Sequence, residues 1–202
     1  MNHPTAGNPG LLLIISGPSG VGKTTITHHV EKQLGAQFSI SITTRPQTAS
    51  DTEGHDYFFV NREQFVAGRD AGDLLEWAEV FGHYYGTPRR RVEQSLAEGR
   101  LVILEIDVAG AVQVKRAIPD AFALFVLPPN EQVLLERLHR RRREDDATIQ
   151  HRFAKVKDEI ARARACGAYD EFLTNDELDQ AVREATRLVR QELDRRRQAQ
   201  RP

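Results

Sequence analysis

Cysteine is nearly absent: the 202 residues contain one, Cys166. No internal disulfide can form, so a hydrophobic core must hold the fold, and a reducing compartment, the cytoplasm, is expected. Cys166 lies between Ala165 and Gly167 and reads as a packed thiol rather than a nucleophile. No apolar run approaches the ~18 residues that span a bilayer, which excludes a membrane partner of the transmembrane kind. The opening residues 1–10 lack the charged-then-apolar profile of a secretory signal and read as a flexible tail. Net charge is also lacking, at −1, so no global attraction to nucleic acid or acidic lipid is expected. Seven histidines are present, but none sits in a metal-ligand constellation, and His28-His29 reads as one surface and one core residue. No internal repeat or low-complexity tract stands out.

What is present suits one soluble domain with small inserted lobes: 40% of residues are hydrophobic and 28% charged. Of the 28 cations 23 are arginine, a residue that grips phosphate through a planar fork.

One motif dominates. Gly17-Pro18-Ser19-Gly20-Val21-Gly22-Lys23-Thr24 fits G-x-x-x-x-G-K-[ST] without a mismatch. The apolar run Leu11 to Ile15 precedes it, and a helical pattern from Thr24 to Leu34 follows. Strand, glycine loop, helix is the setting in which backbone N–H groups converge on phosphate oxygens. Lys23 is expected to reach the β- and γ-phosphates, and the Thr24 hydroxyl to ligate Mg²⁺.

Along the rest of the chain, Gly35 is a helix stop, Phe38 to Ile42 alternates as a half-buried strand, and Arg45 to Gly54 is a polar loop. A strand at Tyr57 to Val60 and a helix from Arg62 to Arg69 capped by Asn61 follow. Leu74 to Gly86 reads as mixed strand and turn, and Pro88 opens a helix that Gly99 ends. Leu101 to Asp107 and Phe122 to Leu127 are buried strands, separated by a helix over Ala109 to Ala117. Helices over Glu131–Arg142 and Thr148–Arg164, a short strand Phe172–Thr174 and a helix Leu178–Arg196 complete the pattern; the basic run from Arg195 to Arg201 reads as frayed and solvent-facing. Alternation of strand and helix predicts an α/β fold, a parallel sheet with helices on both faces. The stretch after Phe38 breaks the alternation and reads as an inserted lobe.

That lobe carries Ser41, Arg45, Tyr57, Glu76, Tyr84, Tyr85 and Thr87, an arginine, hydroxyls and one carboxylate. Arginine and tyrosine hydroxyls suit a monophosphate. A carboxylate accepts the N1–H and N2–H₂ of guanine, whereas adenine offers an acceptor at N1. Such a buried polar set rejects the wrong base strongly, because that base leaves groups unpaired.

Ser16–Thr24, Phe38–Pro46, Gly54–Val60, Leu75-Glu-Trp-Ala78, Tyr84-Tyr-Gly-Thr87 and Glu105-Ile-Asp107, in this order, resemble guanylate kinase over about Leu11 to Gln191. The resemblance implies a P-loop NTPase fold with a core (residues 11–38, 99–131 and 165–198), a monophosphate-binding lobe (39–98) and a helical lid with its following helix (132–164). It implies transfer of the γ-phosphoryl of ATP to GMP with Mg²⁺, in purine nucleotide metabolism, with ATP and GMP as small-molecule partners. It places Arg45, Tyr57 and Tyr85 on the GMP phosphate, and Ser41, Glu76, Thr87 and Asp107 on guanine. The lid arginines become Arg137, Arg141 and Arg152, and Asn175 lies near adenine. Glu105 is implied as a water-mediated Mg²⁺ contact.

Two departures stand out. The family loop reads roughly R-x-P-R-x-G-E, but here Thr48 replaces the second arginine and Ser50 the glycine. Weaker GMP binding is expected unless Arg89, Arg90 or Arg91 compensates, since a charge-assisted hydrogen bond contributes ~1.5–3 kcal/mol. Glu105 also stands where aspartate is usual. Three other readings fit parts of the chain. A P-loop kinase acting on a ribose bisphosphate would have no use for the base-reading set. A non-catalytic guanylate-kinase-like binding module would not need an intact phosphate loop, and a P-loop NTPase coupling hydrolysis to work on a partner would turn over ATP without an acceptor.

Overall fold

The computed structural model describes residues 10–140 and 146–199. Its first strand, β1 (Leu11–Ser16), is buried at every position. Alternate side chains face opposite sides of a strand, so Leu11, Leu13 and Ile15 enter one core layer and Leu12 and Ile14 another. That is why the sequence reads as an unbroken apolar run rather than an alternation.

β1 lies at the centre of a five-stranded sheet ordered β2-β7-β1-β8-β9, formed with β2 (Gln37–Phe38), β7 (Leu101–Glu105), β8 (Phe122–Leu127) and β9 (Glu171–Thr174). Every pairing in it is parallel. The helices α1 (Lys23–Leu34) and α7 (Leu178–Ala199) pack on the face of Leu11, Leu13 and Ile15. The other face takes α3 (Arg89–Ala97) and α4 (Val108–Ala117) through Val92, Ala111 and Val114. Helix α1 stops at Gly35, whose φ of 64° is cheap only without a Cβ and lets its N–H reach the Glu31 carbonyl.

A second sheet, ordered β4-β3-β6-β5, comprises β3 (Ile42–Thr43), β4 (Phe58–Phe59), β5 (Leu74–Val80) and β6 (His83–Pro88). The strand expected over Phe38–Ile42 is therefore two: β2 closes the edge of the large sheet, and the chain crosses at Ser39–Ser41 to enter the small one. Leu74 to Gly86 resolves into an antiparallel hairpin whose register shifts between Leu74 and Glu76. Against it packs α2 (Arg62–Asp70), whose Asn61 accepts from the Gln64 N–H while Gln64 reaches back to the Asn61 N–H. This reciprocal capping satisfies two of the helix's orphan donors.

The helices α5 (Glu131–Arg140) and α6 (Asp146–Ala165) pack through Leu134 and Val156. Three expectations are corrected. Among the described residues helix α7 is regular at its basic end: it continues to Ala199, with Glu192 accepting from both Arg195 and Arg196, and Arg196 also donating to the Asp120 carbonyl, while Arg195 and Arg197 are exposed as expected and Arg201 lies outside the described residues. Cys166 is exposed rather than packed, and His28 and His29 are both exposed, because α1 presents Ile26, Thr27 and Val30 to the core instead. No helix of the described residues is long and apolar enough to cross a membrane.

Candidate active site

The loop between β1 and α1 turns on three glycines at φ 147°, 86° and 95° (Gly17, Gly20, Gly22), values that L side chains rarely adopt. Space forbids a side chain as well: a Cβ on Gly17 would strike the Val126 carbonyl oxygen. Lys23, the first residue of α1, folds back and donates to the carbonyls of Gly17 (2.5 Å) and Pro18 (3.0 Å). Thr24 donates its hydroxyl to Glu105 Oε1 at 2.9 Å, from α1 to the end of β7. Beneath the loop Asn175 is buried, and its amide donates to the Val21 carbonyl at 2.7 Å. Asn175 thus braces the loop from below.

A cavity of about 450 Å³ opens above these residues, lined also by Asp107 and by Glu159 of α6. Burial pushes the Glu159 carboxyl above its usual range, and the negative Asp107 adds to this while Lys23 opposes it. Thr24, Glu105 and Asp107 supply hard oxygen donors, the chemistry Mg²⁺ requires. Among the described residues no three His, Cys, Asp or Glu side chains are grouped to hold a metal by themselves. An ion here would complete its shell with phosphate and water oxygens, as Mg²⁺ ordinarily does.

The smaller sheet faces the same region. On β6, Tyr84 and Tyr85 point to opposite sides, as neighbours on a strand must. Tyr84 is buried, stacks on Phe65 at 5.3 Å and accepts from Arg62, so it belongs to the lobe's core. Tyr85 packs edge-on against Tyr57 at 5.7 Å. Two residues on, Thr87 is buried and donates to Glu76 Oε1 at 2.6 Å across the hairpin. Glu76 is only 6% exposed, and burial pushes its carboxyl up to about 7, with Thr87 opposing the rise and Asp107 adding to it. Asp107 caps α4 by accepting from the Gly110 N–H at 2.8 Å. Gly110 lies close against the same carboxylate: a Cβ there would stand 2.9 Å from Glu76 Oε2, which would have to shift. A second cavity of about 990 Å³ is lined by Ser41, Asp56 and Tyr57 on the lobe side and by Thr24 and Glu105 on the core side.

Arg45 lies at the mouth of the lobe, its guanidinium 5.4 Å from the Tyr57 ring centroid and 5.7 Å from that of Phe59. Its Nη1 and Nη2 donate to the two Asp51 oxygens at 2.9 and 3.0 Å. Thr48 donates to the same carboxylate through its N–H and its hydroxyl, both at 2.7 Å. Arg45 first, then Thr48, holds the Asp51 carboxyl well below the usual carboxylate range. The residue replacing the family's arginine therefore serves as a donor to Asp51. Arg89 is engaged with the Gly72 and Leu74 carbonyls, and Arg91 covers the Phe58 ring at 3.9 Å.

The structure thus brings Lys23, Thr24 and Glu105 together, Glu76, Thr87 and Asp107 together, and Arg45, Tyr57 and Tyr85 together. Ser41 lines the larger cavity beside Tyr57. Of the expected lid arginines, Arg141 lies outside the described residues, and so do the side chains of Arg137 on α5 and Arg152 on α6. Four residues went unread in the sequence: Asp51, Gly110, Gln113 and Glu159. Only Asp51 left a signal, at the acidic end of the R-x-P-R-x-G-E loop.

Comparison with known proteins agrees with this geometry. The guanylate kinase family model matches residues 10–192. The chain is 42% identical to a guanylate kinase of Myxococcus xanthus over 197 residues, covering 97% of this chain and 93% of that protein. It is 41% identical to a guanylate kinase of Synechocystis sp., covering 91% and 95%. In three dimensions it resembles the crystal structure of a guanylate kinase from Anaplasma phagocytophilum, with a TM-score of 0.70 and 29% identity, over 92% of this chain and 87% of that one.

Proposed function

This chain belongs to the guanylate kinase family, enzymes that phosphorylate GMP to GDP at the expense of ATP, and from that premise we propose how its own residues divide the work. The reaction is Mg²⁺-dependent and serves purine nucleotide metabolism in the cytoplasm. The observation that carries the reading is a shared wall: Thr24 and Glu105 line both the cavity over the glycine loop and the cavity under the lobe. A triphosphate in the first would meet, at those two residues, an acceptor held by the lobe, of whose expected contacts Ser41 and Tyr57 line the second cavity and Asp107 the first.

On the donor side, the backbone of Gly17 to Thr24 cradles the ATP phosphates, and Lys23 swings from its carbonyl contacts onto the β- and γ-oxygens. Thr24 and Glu105 are the groups that would hold Mg²⁺, whose chemistry is to draw charge off the bridging phosphate oxygens. On the acceptor side, Glu76 and Asp107 accept from guanine, Thr87 and Ser41 complete the polar rim, and Arg45, Tyr57 and Tyr85 hold the phosphate. The GMP phosphate oxygen is already a competent nucleophile, so no side chain need act as a base. Catalysis is alignment and charge neutralisation, with Arg137, Arg141 and Arg152 supplying cations from the lid.

A coupled assay of ADP formation with GMP, dGMP, AMP, CMP and UMP tests this. GMP is expected to be preferred over AMP by about 10⁴-fold in kcat/KM, the discrimination of a site with unpaired polar groups for the wrong base. Equal rates with AMP, or hydrolysis of ATP independent of any acceptor, would overturn it.

A further inference from the structure

β5 is an edge strand of the smaller sheet. Trp77 on it is paired with Gly86, yet its own N–H and C=O point away from β6, toward α4. An edge of this kind presents unused donors and acceptors. Gln113 of α4 fills it: its Oε1 accepts from the Trp77 N–H at 3.2 Å, and its Nε2 donates to the Trp77 C=O at 3.0 Å. The primary amide carries a donor and an acceptor side by side, so one side chain substitutes for a neighbouring strand at that residue.

The position of this staple matters. Asp107, Gly110 and Gln113 recur every three residues and share one face of α4, and all three meet the segment Glu76–Trp77. Asp107 caps the helix and acts electrostatically on Glu76, Gly110 admits Glu76 Oε2, and Gln113 fixes the peptide groups flanking Trp77. Glu76 lies on the smaller sheet and Asp107 at the start of α4, which packs on the larger one, so the distance between them depends on what joins lobe to core. We propose that Gln113 is a positioning residue for base recognition: by clamping the backbone next to Glu76 it holds the Glu76 carboxylate in register with the N-terminus of α4, the geometry that admits a purine carrying both an N1–H and a 2-amino group. The proposal rests on the reading of Glu76 as the base acceptor given above.

The test uses the full chain with Gln113→Met, which keeps side-chain length and removes both bonds, and Gln113→Glu, which keeps the acceptor for the Trp77 N–H and turns a carboxylate on the Trp77 carbonyl. Both are assayed with GMP and with IMP, which lacks the 2-amino group. For Gln113→Met the GMP KM is expected to rise about tenfold, the kcat/KM ratio of GMP to IMP to fall about tenfold and the ATP KM to stay unchanged, with Gln113→Glu changing in the same direction. Wild-type turnover of GMP with an unchanged GMP-to-IMP ratio in the variants overturns the proposal alone, even if their melting temperatures fall. Should Gln113→Met not fold, the same ratio read from Gln113→Glu decides. Absence of GMP turnover by the wild type overturns the site reading and this proposal together.

Discussion

Replacing Glu76 by glutamine should stabilise the protein while abolishing its grip on guanine, and the two effects come from one cause. Glu76 is 6% exposed, and the pKa of its carboxyl rises from an ordinary 4.5 to about 7 because burial disfavours the charged form and Asp107 repels it. Each tenfold change corresponds to about 1.4 kcal/mol, so ionised Glu76 costs the free protein about 3 kcal/mol. The sign follows from linkage. Below pH 4.5 the carboxyl is protonated folded or unfolded, and its titration contributes nothing. Between 4.5 and 7 the unfolded chain releases its proton while the folded chain keeps it, so stability falls as pH rises. Above 7 both are ionised and the cost is complete. Glutamine resembles the protonated acid and escapes this penalty. Thermal melts of wild type and Glu76→Gln should coincide near pH 4 and separate progressively to pH 8, with the variant higher by about 2–4 °C for each kcal/mol.

Guanine reverses the balance. Its ring N–H and amino group donate to a carboxylate, and two charge-assisted bonds at about 1.5–3 kcal/mol each mean that Glu76→Gln should raise the GMP KM by about a hundredfold or more. In the wild type, GMP is therefore expected to bind only after the proton leaves. With a pKa near 7, affinity should be about tenfold below its plateau at pH 6 and about twofold below at pH 7, then flat above pH 8. Calorimetry in buffers of different ionisation enthalpy would show proton release on binding. A variant no more stable than wild type at pH 8, or a stability difference that does not change between pH 4 and 8, would refute the argument.

Two substitutions probe the neighbouring contacts. Thr48→Arg restores the cation that the loop lacks, and the GMP KM should fall by tenfold or more in steady-state kinetics, in keeping with a charge-assisted bond of about 1.5–3 kcal/mol; a KM no lower than wild type would mean that Arg45, held by Asp51, already suffices. Gly110→Ala sets a Cβ 2.9 Å from Glu76 Oε2 and 3.4 Å from Asp107 Oδ1. Although alanine favours the helix by about 1 kcal/mol, the GMP KM should rise about tenfold at constant ATP KM, and equal GMP KM values would show that the carboxylate moves aside freely.

What the sequence made legible, and what it hid, divide along chain separation. Cradling phosphate with consecutive N–H groups demands glycine at fixed intervals in one short loop, so the Gly17–Thr24 segment announces itself, as does Gly35 ending α1 at φ 64°. The Phe38–Ile42 alternation predicted one half-buried strand, but all five residues are half-buried alike, serines included, and the pattern does not say which sheet they join. Its two ends pair with Ile103 and Gly86 in different sheets, and periodicity carries no partner information.

Tyr84 and Tyr85 are adjacent and chemically alike, and only the hairpin register sends one into the core beside Phe65 and the other toward Tyr57. The contacts that tune Glu76 are longer still: Gly110 lies 34 positions away and Gln113 reaches Trp77 across 36. A glycine inside α4 looks like a weak helix residue until the carboxylate opposite is seen, and a glutamine on a helix looks like surface until the free edge of β5 is set beside it. The glycine loop is local because consecutive backbone groups build it, whereas Glu76 and Thr87 of the smaller sheet meet Asp107, at the start of α4, only once lobe and core have come together.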